Sequence, residues 1–168
     1  LRYRVLLKSN FFKFLLPIKN CPVPDLVLKK EKSIEFDTFW SNESKSICIE
    51  EADNIIKGNF QWFYNKFHQV NIPPDWNFDP ISRKRLPKGN HWSDFKDFKE
   101  IDIKRFWELS RWSWLPVLAR ALKYTNNQKY EEVINLLIKD WCKNNKVNSS
   151  PNWNCAQEVA IRMIHTLQ

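Results

Sequence analysis

Apolar positions recur with a helical period through the second half of the chain. Phe106, Leu109, Trp112, Leu115, Leu118, Ala119 and Leu122 fall mostly three and four residues apart, lining one face of a helix from Asp102 or Ile103 to about Tyr124. Pro116 lies inside that run and removes a backbone donor, so the pattern predicts one kinked helix or two in succession. Asn126-Asn127 then reads as a turn with a cap. Tyr130, Val133, Ile134, Leu137, Ile138 and Trp141 mark the apolar face of a second helix, Gln128 to Lys143. A polar loop from Asn144 to Pro151 leads to a third helix, capped by Asn152, whose amphipathic pattern still runs at Gln168 with no Gly, Asn or Pro closing it.

The first half is more broken. Residues 1 to 46 combine an amphipathic start, a stretch punctuated by Pro17, Pro22 and Pro24, and a polar segment from Ser41 to Ser46. They read as an N-terminal arm packed on a main body spanning 47 to 168. Ile47 to about Lys57 predicts a short helix with Ala52, Ile55 and Ile56 inward, stopped at Gly58. Alternation of Phe60, Trp62 and Tyr64 with Gln61, Phe63 and Asn65 predicts an extended or hairpin segment, and Pro73-Pro74 forbids helix after it. The fold class is therefore all-α, built of antiparallel helical hairpins with an N-terminal arm and short strand and loop segments, and no sheet of more than three strands.

Composition narrows this further. The 168 residues, 43% of them hydrophobic, suffice for one core, and nine Trp and twelve Phe against two Gly exclude a disordered tail or a turn-rich β sandwich. The first residue is Leu, and with the open-ended third helix this reads as a segment of a longer protein, whose Val159, Ile161 and Ile164 self-associate or meet the missing C-terminal portion. A formal charge of +8 favours anionic partners, although a Lys- and Asn-rich composition accounts for it equally well. No basic block exceeds four residues and no nucleic-acid-binding motif appears, so nucleic acid is not an expected partner. Leu1 to Leu16 is interrupted by Arg2, Arg4, Lys8 and Lys13 and ended by Pro17, which makes neither a membrane span nor a clear signal peptide. Cys21, Cys48, Cys142 and Cys155 lack C-x-x-C spacing and a His at ligand intervals, so no metal site is expected. Free buried thiols are the favoured state, with a Cys142 to Cys155 disulfide left open.

Two helix openings carry the chemistry. Lys104, Trp107, Glu108 and Arg111 fall at i, i+3, i+4 and i+7, placing a cation, an indole, a carboxylate and a guanidinium on one helical face. Asn152 and Trp153 open the other, where Glu158 and Arg162 stand four apart in the order favoured for an intrahelical pair. Read with Asp75-Trp76, Asp79-Pro80, His91-Trp92 and Trp141, this order resembles the N-terminal helical domain of the heparinase II/III-like polysaccharide lyases. The pattern there runs D-W-x-x-D-P, H-W, D-I-K-x-x-W-E-x-x-R, a Trp ending a helix, then N-W-x-x-x-x-E-x-x-x-R, and it covers roughly residues 59 to 168 here.

The resemblance implies that residues 47 to 168 form part of an (α/α) toroid, one wall of a cleft for an acidic, uronic-acid-containing polysaccharide cleaved by β-elimination without a cofactor. Such a reaction removes the proton beside a carboxylate after that carboxylate's charge has been neutralised, with Tyr or His as base and acid. The resemblance places the Asn-His pair and the Tyr beyond Gln168, so no catalytic residue is expected among these 168 and the segment alone is expected to be inactive. Asn90-His91 matches the H-W element instead. It favours a periplasmic or secreted location, with cytoplasmic surface-polysaccharide synthesis open. Asn152, Trp153, Arg111, Trp107 and Lys104 are then candidates for substrate contact, with Trp153 stacking on a sugar ring, Asn152 donating to a hydroxyl and Arg111 gripping a carboxylate. Glu108, Glu158 and Arg162 are candidates for structural pairing. The alternative function is a non-catalytic helical carbohydrate-binding or assembly module.

Overall fold

Ser41 sets the first helix. Its hydroxyl accepts the Ser44 N–H at 3.1 Å, and helix α1 spans Asn42–Ile56. The computed structural model describes residues 15–20, 40–63, 66–86, 89–95 and 101–167. The polar segment assigned to the arm is thus the cap and first turns of α1, and the boundary after residue 46 falls inside a helix. Most of the arm lies outside the described residues. The piece that is described packs on the body: Lys19 bridges to Val147, and the Asn148 amide donates to the carbonyls of Leu16 and Pro17.

Ala52 and Ile55 of α1 are buried, and the helix stops before Gly58 as the pattern predicts. Gly58 holds φ +86°, where a Cβ would run into the Val70 carbonyl oxygen, so the turn into the next element tolerates only glycine without strain. Strands β1 (Asn59–Trp62) and β2 (Lys66–Gln69) follow as an antiparallel hairpin with Phe60 opposite His68 and Gln61 opposite Phe67. Phe60 and Trp62 enter the core while Gln61 stays exposed, the two-residue period expected of this stretch.

The run after Asp102 divides into α2 (Lys104–Ser110) and α3 (Trp114–Thr125). The break is at Trp112, which adopts the left-handed φ of +63°, and not at Pro116. Pro116 stands in the first turn of α3, where its missing N–H would have had no intrahelical acceptor, so no kink follows. The turn also resets the helical phase. Trp114, Val117 and Ala121 become buried, whereas Trp112, Ala119 and Leu122 of the single-stripe reading are half-buried.

Asn126, at φ +52°, ends α3, and the side chain of Asn127 accepts the Lys129 N–H to start α4 (Gln128–Asn144). Tyr130, Ile134, Leu137, Ile138 and Trp141 are buried as predicted. After a loop, Ser150 caps a short 3₁₀ turn at Pro151–Trp153, and α5 spans Ala156–Leu167. Asn152 therefore does not cap the last helix; it sits inside the turn that precedes it. The core joins α1, α3 and α4 with Phe60 and Trp62 of β1, Leu109 of α2 and Trp76, and Leu118, Ala121 and Leu137 are wholly buried in it. Among the described residues the chain is mostly helical with one two-stranded sheet, no helix is long and apolar enough to cross a membrane, and Cys48, Cys142 and Cys155 are free thiols. Cys21 lies outside them.

The last helix is unusual in what it hides. Its buried residues are Glu158 and Arg162, while Met163, Ile164 and Leu167 are more than half exposed. Of the three residues expected to form a contact face, Ile164 is exposed, and Val159 and Ile161 are half-buried.

Candidate functional site

The two helix openings meet. Arg111, at the end of α2, donates through Nε and Nη2 to both oxygens of Glu158 on α5 at 2.7 and 2.8 Å, and through Nη1 to Glu108 one turn back on its own helix. Glu158 is almost fully buried, so this planar, two-bond grip is what allows a carboxylate to sit there. Sequence spacing paired Glu158 with Arg162; the fold brings it a partner from forty-seven positions away. The hydrogen bond to Glu158 holds the Arg111 guanidinium firmly protonated. Burial pushes the Glu108 carboxyl above its usual range, against the pull of Arg111, and the neighbouring Glu158 charge pushes the same way.

Arg162 turns the other way. Its guanidinium donates to the Asn152 carbonyl at 2.7 Å and to the Ser110 carbonyl at 3.5 Å, and it lies 4.9 Å from the Trp141 ring centre and 5.4 Å from that of Trp153. Trp141 continues the network by donating to Ser110 Oγ, and Trp107 donates to the Pro151 carbonyl at 2.9 Å. His165 binds the Arg111 carbonyl through Nδ1, which fixes the proton on that nitrogen.

Of the five candidates for substrate contact, Asn152 is the one that is fully buried. It is 1% exposed, its amide N–H is spent on Asn145 Oδ1 at 2.8 Å, and the proline-led turn carries it inward. Its own Oδ1 is buried without a hydrogen-bond partner. Trp153 and Trp107 are half-buried and use their indole N–H groups on the Asn145 and Pro151 carbonyls. Arg111 keeps 27% of its side chain accessible, although all three donor nitrogens are engaged with carboxylates. Lys104 is exposed.

The upstream motif residues join the same framework. Trp76 donates to Asp140 on α4 at 2.7 Å, and buried Asp79 accepts the N–H groups of Ile81 and Ser82 and lies 3.5 Å from Arg105 on α2. His91 is buried, with Nε2 on the Leu16 carbonyl and Nδ1 on Ser93, so it is a fastener of the arm. His68 packs edge-on against Trp62 at 5.6 Å, a structural place.

Sequence reasoning missed three things. Asn145 is wholly buried and binds Ser150, Asn152 and the Trp141 carbonyl, the hub of a loop that reads only as polar. Tyr130 donates to Asp53 at 2.9 Å beside Lys129, a meeting of α1 and α4 that no local spacing announces. Burial holds that phenol above its ordinary value, which disfavours it as a base. The third is a cavity of about 270 Å³ beside Glu108, between α1, the hairpin and the α2–α3 turn. Among the described residues no group of His, Cys, Asp and Glu could hold a metal ion. Compared with known proteins, the chain matches no family model, no curated protein and no solved structure.

Proposed function

We propose that the chain is the helical, cleft-forming part of a polysaccharide lyase of the heparinase II/III-like type, an incomplete (α/α) toroid whose parent cleaves an acidic polysaccharide by β-elimination. One observation carries the reading: four of the five motif segments that suggested it are linked to one another in space. Trp76 reaches the helix of Trp141, Asp79 approaches Arg105, Arg111 grips Glu158, and Arg162 ties Asn152 to Ser110, while the His91-Trp92 segment is held by Leu16, Ser93 and Asn148. Four chance matches scattered over the chain would have little reason to converge; a shared fold signature would. The motifs are then the fasteners of a scaffold, and substrate meets the rim beside them, at Lys104 and the open edge of Arg111.

The test is the whole gene product offered several acidic polysaccharides while ultraviolet absorbance of unsaturated uronate is followed. A steady rise, absent from the 168-residue chain alone, is the expected result. No rise with any acidic polysaccharide, together with retention of the chain on immobilised polysaccharide, would replace the lyase by a non-catalytic carbohydrate-binding module.

A further inference from the structure

The cavity beside Glu108 has a lining opposite in sign to the rest of the chain. Its volume, about 270 Å³, is close to the lower end of small-ligand sites, roughly 300 Å³. Two carboxylates, Glu51 and Glu108, stand in its wall with aromatic rings that include Phe63 and Phe67, and among the described residues no Lys, Arg or His lines it. That contrasts with a formal charge of +8 for the whole sequence. Glu51 is half-buried and its side chain makes no hydrogen bond or ion pair among the described residues. Phe67 is 55% exposed on the hairpin, a large apolar ring held in water at the cavity's edge.

Each ligand class can be weighed against that wall. An anion would meet the Glu51 carboxylate and, among the described residues, no free cation in the lining, since Arg111 is engaged with Glu108 and Glu158, and an apolar ligand would strip water from Glu51 while offering it nothing. A protonated amine supplies three donors to acceptor-only groups and rests its charge on ring faces. We propose that this cavity is a binding site for a small polar ligand carrying a protonated amine. Glu51 is its principal anchor, because Arg111 already engages Glu108. Asn59, Gln61 and Ser113 supply the further polar groups that a hydroxylated ligand would use. The site stands on its lining alone and does not rest on the lyase reading.

Glucosamine, N-acetylglucosamine and glucuronate present one ring size with a cationic, a neutral and an anionic substituent. Titrated calorimetrically into the 168-residue chain at about pH 6, where the amine is protonated, glucosamine is expected to bind at least about tenfold more tightly than N-acetylglucosamine, and glucuronate not at all. Glu51→Gln is expected to weaken glucosamine by about tenfold or more, the loss of one charge-assisted contact, with an unchanged melting temperature. Phe67→Ala, at an exposed position, weakens it as well. Equal binding of the three sugars, no binding of glucosamine at millimolar concentration, or a Glu51→Gln chain that binds as tightly as the parent overturns the proposal. None of these outcomes bears on uronate cleavage by the gene product.

Discussion

Arg111→Ala separates a fastener from a substrate ligand. The substitution leaves Glu158, only 4% exposed at its side chain, without the two bonds that solvate it. Removing one partner of a buried ion pair costs about 3 to 5 kcal/mol; the 27% accessibility of Arg111 and the 15% of Glu108 let water recover part, which brings the figure to about 2 to 3 kcal/mol. For a chain of this size each kcal/mol moves the melting temperature by about 2 to 4 °C, so a fall of roughly 4 to 12 °C is expected. The assay is urea and thermal unfolding of Arg111→Ala, Glu158→Ala and the double variant. A coupling energy of about 1.5 to 3 kcal/mol in that cycle is the signature of the pair. Replacing both residues by Met should restore much of the loss, since no buried charge is then left alone. A single variant within about 0.5 kcal/mol of the parent, or a cycle with no coupling, would refute the fastener and return Arg111 to the role of a free guanidinium for a substrate carboxylate.

Gly58→Ala should cost about 1 to 3 kcal/mol, because it combines a left-handed φ with a clash against Val70, whereas Gly89→Ala, at φ +82° in open space, should show the conformational cost alone; paired unfolding curves check the order. Ser110→Ala should destabilise by about 1 to 3 kcal/mol by leaving the buried Trp141 N–H without an acceptor, and a Trp141→Phe background should remove most of that penalty. Two carboxylates give opposite pH signs. The hydrogen bond from Lys129 holds Asp53 below its ordinary value, so its stabilising contribution is present above that value and lost as pH falls through the lowered one. Burial holds Glu108 above its ordinary value, so its contribution is present in acid and lost as pH rises through the raised one. Urea midpoints measured against pH should therefore show Asp53→Asn flattening the acid limb, and Glu108→Gln flattening the decline on leaving it.

Periodicity determined the elements that depend on local bonding. Helix α4 and its inward face, the Asn126-Asn127 turn, the Gly58 stop and the hairpin at Phe60 to Trp62 follow from spacing, capping and glycine freedom, all properties of a few neighbouring residues. The N-cap at Ser41 was equally local, yet the polar run hid it, since a solvated first turn looks like a loop. What spacing could not reach was any choice between a local and a distant partner. Trp112 resets the helical phase through a left-handed turn against Trp114 and Trp141, so Trp114, Val117 and Ala121 join the predicted Leu115 and Leu118 in the buried face of α3 while Ala119 and Leu122 drop to half-buried. Glu158 has an Arg four residues along, but a rigid bidentate fork from α2 offers it two aligned bonds, and Arg162 settles among carbonyls and indoles. Asn152 reads as a cap or a cleft donor because both uses suit an amide before a helix. Only the Pro151 turn, by carrying it to 1% exposure against Asn145, made it part of the interior.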